Sequence, residues 1–205
     1  MASHDSSVST EQTPNIKLVL LGESTVGKTS IVNVAHRNEF VQDQASTIGA
    51  CFQIKKMKVG DTTVKLHLWD TAGQERFRSL APMYYRDAQY ALLVFAVDNN
   101  DSFTAMDNWY RGLVDDCSSL PHMILIGNKT DLVETRSVTK EQGAQLAAKL
   151  NAKYYEVSAK ADHDGIVKMF QEIAEDALKA FNSDKNSRQS SSSLVDANKK
   201  NSGCC

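Results

Sequence analysis

The sequence predicts an α/β fold, a six-stranded, mostly parallel sheet with one antiparallel strand and helices on both faces. Short apolar runs of strand length alternate with longer segments of helical pattern, the order that builds parallel strands joined by crossover helices. Several of these runs are almost continuously apolar, as expected of strands covered on both sides. The dipeptide Gly60-Asp61 separates two neighbouring strand candidates, and a turn of that chemistry joins antiparallel partners.

Taken in order, residues 15–21 (NIKLVLL) form an apolar run that stops at Gly22, the pattern of a buried strand, and residues 28–36 follow as a helix. The segments 51–59 and 62–69 make the hairpin, where Val64, Leu66 and Leu68 alternate with polar neighbours and so bury one face. Further strands are expected at 91–97, 122–126 and 153–157, followed by helices at 102–117, 139–150 and 165–181. Residues 1–14 are Ser, Thr and charge, with too little apolar surface to offset the entropy of ordering, and are expected to form a flexible arm. From Asn182 the chain turns Ser-, Asn- and Lys-rich and loses its period, so residues 182–205 are expected to be a flexible tail behind a domain at 15–181.

With 41% hydrophobic and 23% charged residues, the composition is that of a soluble globular domain. The formal net charge of -2 gives no electrostatic support to nucleic-acid binding. Cys51, Cys117, Cys204 and Cys205 lack zinc-ligand spacing and no apolar leader opens the chain, which implies a reducing, cytosolic setting. Cys51 and Cys117 read as small packed residues. The best apolar stretch, residues 90–97, falls far short of the roughly 18 residues of a membrane span. Membrane attachment would therefore be a chemical addition, and Ala2 breaks the N-myristoylation pattern.

Residues 22–29 (GESTVGKT) match the phosphate-loop pattern GxxxxGK[ST] in full, between a predicted strand and a predicted helix. There the main-chain N–H groups of Ser24, Thr25, Val26, Gly27, Lys28, Thr29 and Ser30 can curl around phosphate oxygens, Lys28 can meet the outer phosphates, and the Thr29 hydroxyl can ligate Mg2+. This motif alone leaves ATPases, kinases and GTPases open. Asn128-Lys129-Thr130-Asp131 follows a predicted strand, and an acceptor-only carboxylate at Asp131 can take both N–H donors of guanine's edge. Adenine offers no such pair, so ATP is disfavoured. Alone, the same four residues could form an ordinary Asx turn. Ser158, Ala159 and Lys160, after the last strand, would add main-chain contacts to the base. Asp70-Thr71-Ala72-Gly73-Gln74 lies directly after an apolar strand: Asp70 suits the metal shell, the Gly73 N–H can reach a γ-phosphate, and Gln74 can orient the attacking water.

These three motifs, in this order and spacing, resemble the Ras-like small GTPases over residues 15–181. Within that superfamily the chain is most similar to the Rab family, through residues 47–52 (TIGACF), the phrase WDTAGQERF and Tyr84-Tyr85-Arg86. Residues 46–50 (STIGA) and 79–86 (SLAPMYYR) resemble its early-endosomal branch. The resemblance implies GTP and GDP as bound nucleotides, Mg2+, and slow hydrolysis that an activating protein accelerates. It implies an exchange factor, a GDP-dissociation inhibitor and GTP-state effectors as partners, no nucleic acid, and a monomer. It makes Thr47 a second Mg2+ ligand that also meets the γ-phosphate, and Phe40 the aromatic against guanine, although Phe40 could equally anchor its loop in the core. It makes Ile48, Phe52, Trp69 and Tyr84 effector contacts, with a core role for Trp69 left open. The adjacent Cys204 and Cys205 resemble a double prenylation signal, against the alternative of two free thiols, and would place the protein on the cytoplasmic face of endosomal membranes, cycling with the cytosol. The chain departs from the family at Asp87, where Gly is usual, at Phe95-Ala96, where Tyr-Asp is common, and at Val34-Ala35-His36, which lacks an aromatic. None of these touches the nucleotide motifs.

Overall fold

Strand β1 (Asn15–Leu21) lies inside a six-stranded sheet of order β2-β3-β1-β4-β5-β6. The structure is a computed structural model describing residues 13–198, with side chains through residue 185. The remaining strands are β2 (Ala50–Val59), β3 (Thr62–Thr71), β4 (Tyr90–Ala96), β5 (His122–Asn128) and β6 (Lys153–Glu156). Only β2 runs antiparallel, paired with β3 from Ala50 opposite Thr71 to Val59 opposite Thr62, and the other pairings are parallel. The sequence expectation for the sheet is met.

Helices cover both faces: α1 (Lys28–Arg37), α2 (Ala81–Tyr85), α3 (Asn100–Thr104), α4 (Met106–Asp116), α5 (Lys140–Lys149) and α6 (His163–Asn198). Alternate residues of β1 serve opposite faces. Leu18 and Leu20 pack with Ile31 and Val32 of α1 and Phe170 and Ile173 of α6, whereas Val19 and Leu21 pack with Tyr85 of α2 and Met106, Trp109 and Leu113 of α4. A strand buried on both faces loses its polar alternation, which is why residues 15–21 appear as one apolar run. Each such side chain contributes about 1.5–3 kcal/mol when fully buried.

Several boundaries differ from expectation. The helix expected at 102–117 is two helices meeting at Ala105, and it begins earlier because the Asn99 side chain caps α3 by accepting from Ser102 N. The strand expected to stop at Trp69 continues through Asp70 and Thr71, whose main chains pair with Cys51 and Ala50. A 3-10 helix, Glu75–Leu80, and α2 fill a stretch given no element from sequence. Helix α6 extends to Asn198, past the expected end at Phe181 and into the segment expected to be a linker from Asn182. Its buried stripe, Ile166, Met169, Phe170, Ile173, Ala174 and Ala177, does stop near there. Helical hydrogen bonds need no apolar face, and residues 182–198 hold no Gly or Pro to interrupt them. Residues 1–12 of the expected arm, and Cys204 and Cys205, lie outside the described residues.

The family departures fall partly in the core and partly at the surface. Phe95 is fully buried against Phe103, with ring centroids 5.0 Å apart, Ala96 and Val34 are buried, and His36 is exposed. Asp87 adopts φ 58°, the left-handed region that a Gly enters freely and Asp tolerates better than most residues. Cys117 is half-buried, but Cys51 is exposed rather than packed, because β2 is an edge strand with an open outer face. No helix among the described residues is long and apolar enough to cross a membrane.

Candidate functional site

The loop after β1 is shaped by two close approaches. Gly22 passes so near the Val94 carbonyl that a Cβ there would overlap it, and Gly27, at φ 95°, abuts the Asn128 amide in the same way. Gly27 precedes α1 as its N-cap and makes no side-chain cap, so the first N–H groups of the helix face the loop without a side-chain acceptor. Such a terminus favours anions. Lys28 is buried, and its Nζ donates to Gly22 O and Glu23 O, both at 2.7 Å, across the mouth of the loop. Burial pushes its pKa down to about 8, against the pull of the Asp70 and Glu23 carboxylates.

Three oxygen-bearing side chains meet beside that loop. Thr29 Oγ1 donates to Asp70 Oδ2 at 2.7 Å and shares a hydrogen bond of 2.9 Å with Thr47 Oγ1, which in turn donates to Asp70 Oδ2 at 3.4 Å. Asp70 is 1% exposed, and its other oxygen, Oδ1, has no hydrogen-bond partner. Burial raises the Asp70 pKa, opposed by the Thr29 hydrogen bond, the Lys28 charge and the Thr47 hydrogen bond. A buried carboxylate with an orphaned oxygen, beside two hydroxyls and no sulfur or imidazole, fits a hard divalent cation that prefers oxygen ligands. The segment carrying Thr47 reaches this point from the surface: Gln42, Gln44, Ala45 and Ser46 line the same cleft, of about 250 Å³, as Ser24, Thr25, Lys28, Gly73 and Gln74.

Gly73 lies directly against the phosphate loop, where a Cβ would overlap the Glu23 carbonyl and Lys28 Nζ. Gln74 is half-buried and forms the N-cap of the 3-10 helix. The structure thus brings together Ser24–Ser30, Thr47, Asp70, Gly73 and Gln74, from loops far apart in sequence.

The second group of expected residues stands at the ends of β5 and β6. Asn128 Nδ2 donates to Val26 O at 2.8 Å and its Oδ1 accepts from Ala159 N at 3.1 Å, so its side chain ties three loops together and both its polar groups have protein partners. Ser158 Oγ donates to Asp131 Oδ1 at 2.5 Å and accepts from Lys160 N and Ala161 N, which fixes both the carboxylate and the turn after β6. Lys129 adopts φ 67° and its Nζ lies 3.7 Å from Asp98 Oδ1. Phe40 is half-buried and packs against the core cluster beneath α1 and α6, so the loop-anchoring role is the one its contacts display.

The aromatic residues form a continuous strip. The Phe52 ring lies 5.2 Å from Trp69, which lies 6.1 Å from Tyr84. Phe52 is 45% and Ile48 80% exposed, while Trp69 and Tyr84 also pack partly on the core. Trp69 is half-buried, so the core role left open for it is seen in its packing, and its remaining surface is exposed.

Sequence patterns gave no role to Glu23, Arg78 or Trp109. Glu23 Oε1 accepts from Arg78 Nη2 and from Trp109 Nε1, partners 55 and 86 residues away, a distance at which one sequence carries no pairing signal. A larger groove of about 520 Å³ lies at the amino ends of β1, β4 and β5, among Ile16, Arg86, Asp87, Tyr90, Cys117 and His122, and is lined by none of the residues of the three nucleotide motifs.

Comparison with known proteins agrees with this geometry. The family model described as "Ras: Ras family" matches residues 17–179. Over 160 residues the chain is 44% identical to "Ras-related protein RABF2b" of Arabidopsis thaliana, covering 78% of this chain and 80% of that one.

Proposed function

Because the chain belongs to the Ras family, as a small GTPase of Rab type, we propose that it is a trafficking switch of the early endocytic route, with its nucleotide held by the residues gathered above. Ras and Rab GTPases bind GTP or GDP with Mg2+ and work with exchange factors, activating proteins, dissociation inhibitors and effectors. The observation that carries the site assignment is the convergence of Thr29, Thr47 and Asp70 oxygens beside a glycine, Gly73, laid against the phosphate loop.

In this reading the N–H groups of Ser24 to Ser30 and the Lys28 ammonium hold the phosphates. Thr29, Thr47 and Asp70 would hold Mg2+, which when bound neutralises charge that develops on the phosphate oxygens. Gly73 N–H meets the γ-phosphate and Gln74 orients a water. The water oxygen bonds to the γ-phosphorus as the bridging P–O bond breaks, GDP leaves with that bond's electron pair, and the water's proton passes to the released phosphate or to solvent. Thr47 and Gly73 are attached to the phosphates from two separate loops, so hydrolysis releases both loops together and the effector strip of Ile48, Phe52, Trp69 and Tyr84 changes with them. No arginine among Ser24 to Ser30 stands ready to stabilise the transition state, which leaves that part to an activating protein.

Asp131, oriented by Ser158, reads guanine from the far end of the same crevice. Asp131→Asn exchanges an acceptor for a donor, so it lowers GTP affinity by at least about tenfold and favours xanthosine triphosphate. Competition binding with the two nucleotides checks this, and an unchanged preference for GTP would remove Asp131 from base recognition.

The endosomal assignment is supported by residues 46–50 and 79–86. Anchoring is assigned to Cys204 and Cys205, since two prenyl chains hold a protein to a membrane where one does not. Imaging of a tagged chain lacking both cysteines should show endosomal puncta replaced by diffuse signal; puncta that persist would disprove the anchor.

A further inference from the structure

We propose that Glu23 is a positioning residue for GTP hydrolysis, gripping the chain on both sides of Gln74: its main chain at Gly73 and its carboxylate at Arg78. The inference rests on the assignment of Gln74 given above. One carboxylate oxygen, Glu23 Oε1, accepts from Arg78 Nη2 at 2.5 Å and from Trp109 Nε1 at 3.1 Å. The Arg78 guanidinium lies over the Trp109 ring, 5.1 Å from its centroid. One oxygen thus joins the phosphate loop, the 3-10 helix and α4. On the other side of Gln74, Gly73 is so close to the Glu23 carbonyl that no side chain fits between them. Lys28 Nζ donates to that same carbonyl, so the grip is continuous with the phosphate-binding lysine.

What makes the clamp matter is the weakness of everything else holding this helix. The 3-10 helix Glu75–Leu80 has no buried residue, so apolar packing fixes it poorly. Gln74 is its N-cap, and the direction of the helix decides where the Gln74 amide stands. An ion pair with side chains 44% and 29% exposed adds little on its own. Here the planar guanidinium is held by a charge-assisted bond at its edge and an aromatic ring at its face, which fixes orientation as well as distance. At its far end the same segment is tied to α4 again, where the Tyr85 hydroxyl donates to Asp116 Oδ2. Helix α4 therefore serves as a rail along which the catalytic loop is mounted, with Glu23 the fastening nearest the phosphates. None of Glu23, Arg78 and Trp109 lines the cleft shared by Lys28, Thr47 and Gln74, so the clamp acts on the geometry of hydrolysis and not by touching phosphate.

Single-turnover GTP hydrolysis by Arg78→Met, Arg78→Lys, Glu23→Gln, the Glu23→Gln/Arg78→Met double variant and Gln74→Leu tests this. Arg78→Met, which removes the charge-assisted hydrogen bond, and Glu23→Gln, which keeps an acceptor oxygen but removes the charge, are each expected to slow the chemical step about three- to tenfold. The double variant is expected to be no slower than the slower single, because both substitutions abolish the same ion pair. Arg78→Lys should recover most of the rate. GTP dissociation from Arg78→Met should stay within about twofold of wild type, which separates a displaced Gln74 from a damaged fold or phosphate loop. Wild-type hydrolysis by Arg78→Met with a slow Gln74→Leu, or additive losses in the double variant, would overturn the clamp while leaving the role of Gln74 standing. A Gln74→Leu rate equal to wild type would overturn the role of Gln74, and with it the route by which the clamp acts.

Discussion

In the proposed switch, Gly73 is the residue on which the nucleotide-dependent conformation turns. Any Cβ at this position would overlap the Glu23 carbonyl and press on Lys28 Nζ, and both of those atoms belong to a loop that is itself fixed. Gly73→Ala must therefore lift the following segment away from the phosphate loop. On the proposed mechanism, contacts to the γ-phosphate would then be lost, whereas contacts to the inner phosphates, assigned to Ser24 to Ser30, would survive. The expected outcome is GTP dissociation faster by at least about tenfold with GDP dissociation within about threefold of wild type, read from release of fluorescent nucleotides. Equal effects on both would mean that Gly73 supports the loop but does not sense the third phosphate. At this scale the sequence was informative wherever the proposed site is built from contiguous motifs: Lys28 and Thr29 follow β1, Asp70 lies near the end of β3 and Asp131 follows β5, as their motifs led one to expect. It was silent on Glu23, whose partners are 55 and 86 residues distant. It also missed that both polar groups of Asn128 are taken by Val26 O and Ala159 N, which makes that residue a tie between loops.

Elements were legible in proportion to how much of their stability comes from an apolar pattern. Strands β1, β4 and β5 are buried on both faces, and their apolar runs located them within a residue or two. The start of α5 agrees equally well, and there a capping box between Thr139 and Gln142 satisfies the first N–H groups of the helix. The stretch from Glu75 to Tyr85 gave no such signal. Its 3-10 helix has no fully buried residue, with only Phe77 and Leu80 partly covered, and α2 is a short helix whose buried residues are Ala81 and Tyr85. An element stabilised by Glu23, Trp109 and Asp116 from elsewhere in the chain leaves no periodic trace in its own residues. Helix α6 shows the converse: its pattern was expected to end at Phe181, one turn past the last buried residue, Ala177, while the helix continues to Asn198. The left-handed turn at Asp87, next to Arg86 whose carbonyl accepts from Lys17 Nζ, holds the end of this segment against β1 without requiring the glycine that the family resemblance led one to expect.

At the scale of the whole molecule, the sheet order sets where a ligand must bind. β1 stands between β3 and β4, so the chain leaves it toward one edge and later returns to the other, and ligands bind at the carboxyl ends of strands beside such a reversal. The phosphate loop after β1, the Asp70–Gly73 segment at the end of β3, and the loops after β5 and β6 all open there. A guanine nucleotide bound as proposed, from Lys28 to Asp131, would therefore join loops from both halves of the sheet, and could do so only in the folded chain. Binding exclusively to the folded state stabilises it by about 4 kcal/mol when the ligand is at a thousand times its dissociation constant. For a domain of this size each kcal/mol raises Tm by about 2–4 °C, so saturating GDP with Mg2+ is expected to raise Tm by roughly 10 °C. Chelating the metal should reverse part of that shift, because the buried Asp70 carboxylate then faces the phosphates without a cation between them. ADP with Mg2+ at the same concentration should move Tm by less than about 2 °C, since only the base differs and Asp131 finds no donor pair on adenine. A thermal-shift series over GDP, ADP and EDTA decides the matter: equal shifts from GDP and ADP would mean that the phosphate cradle alone holds the ligand and that the loops after β5 and β6 take no part in choosing it.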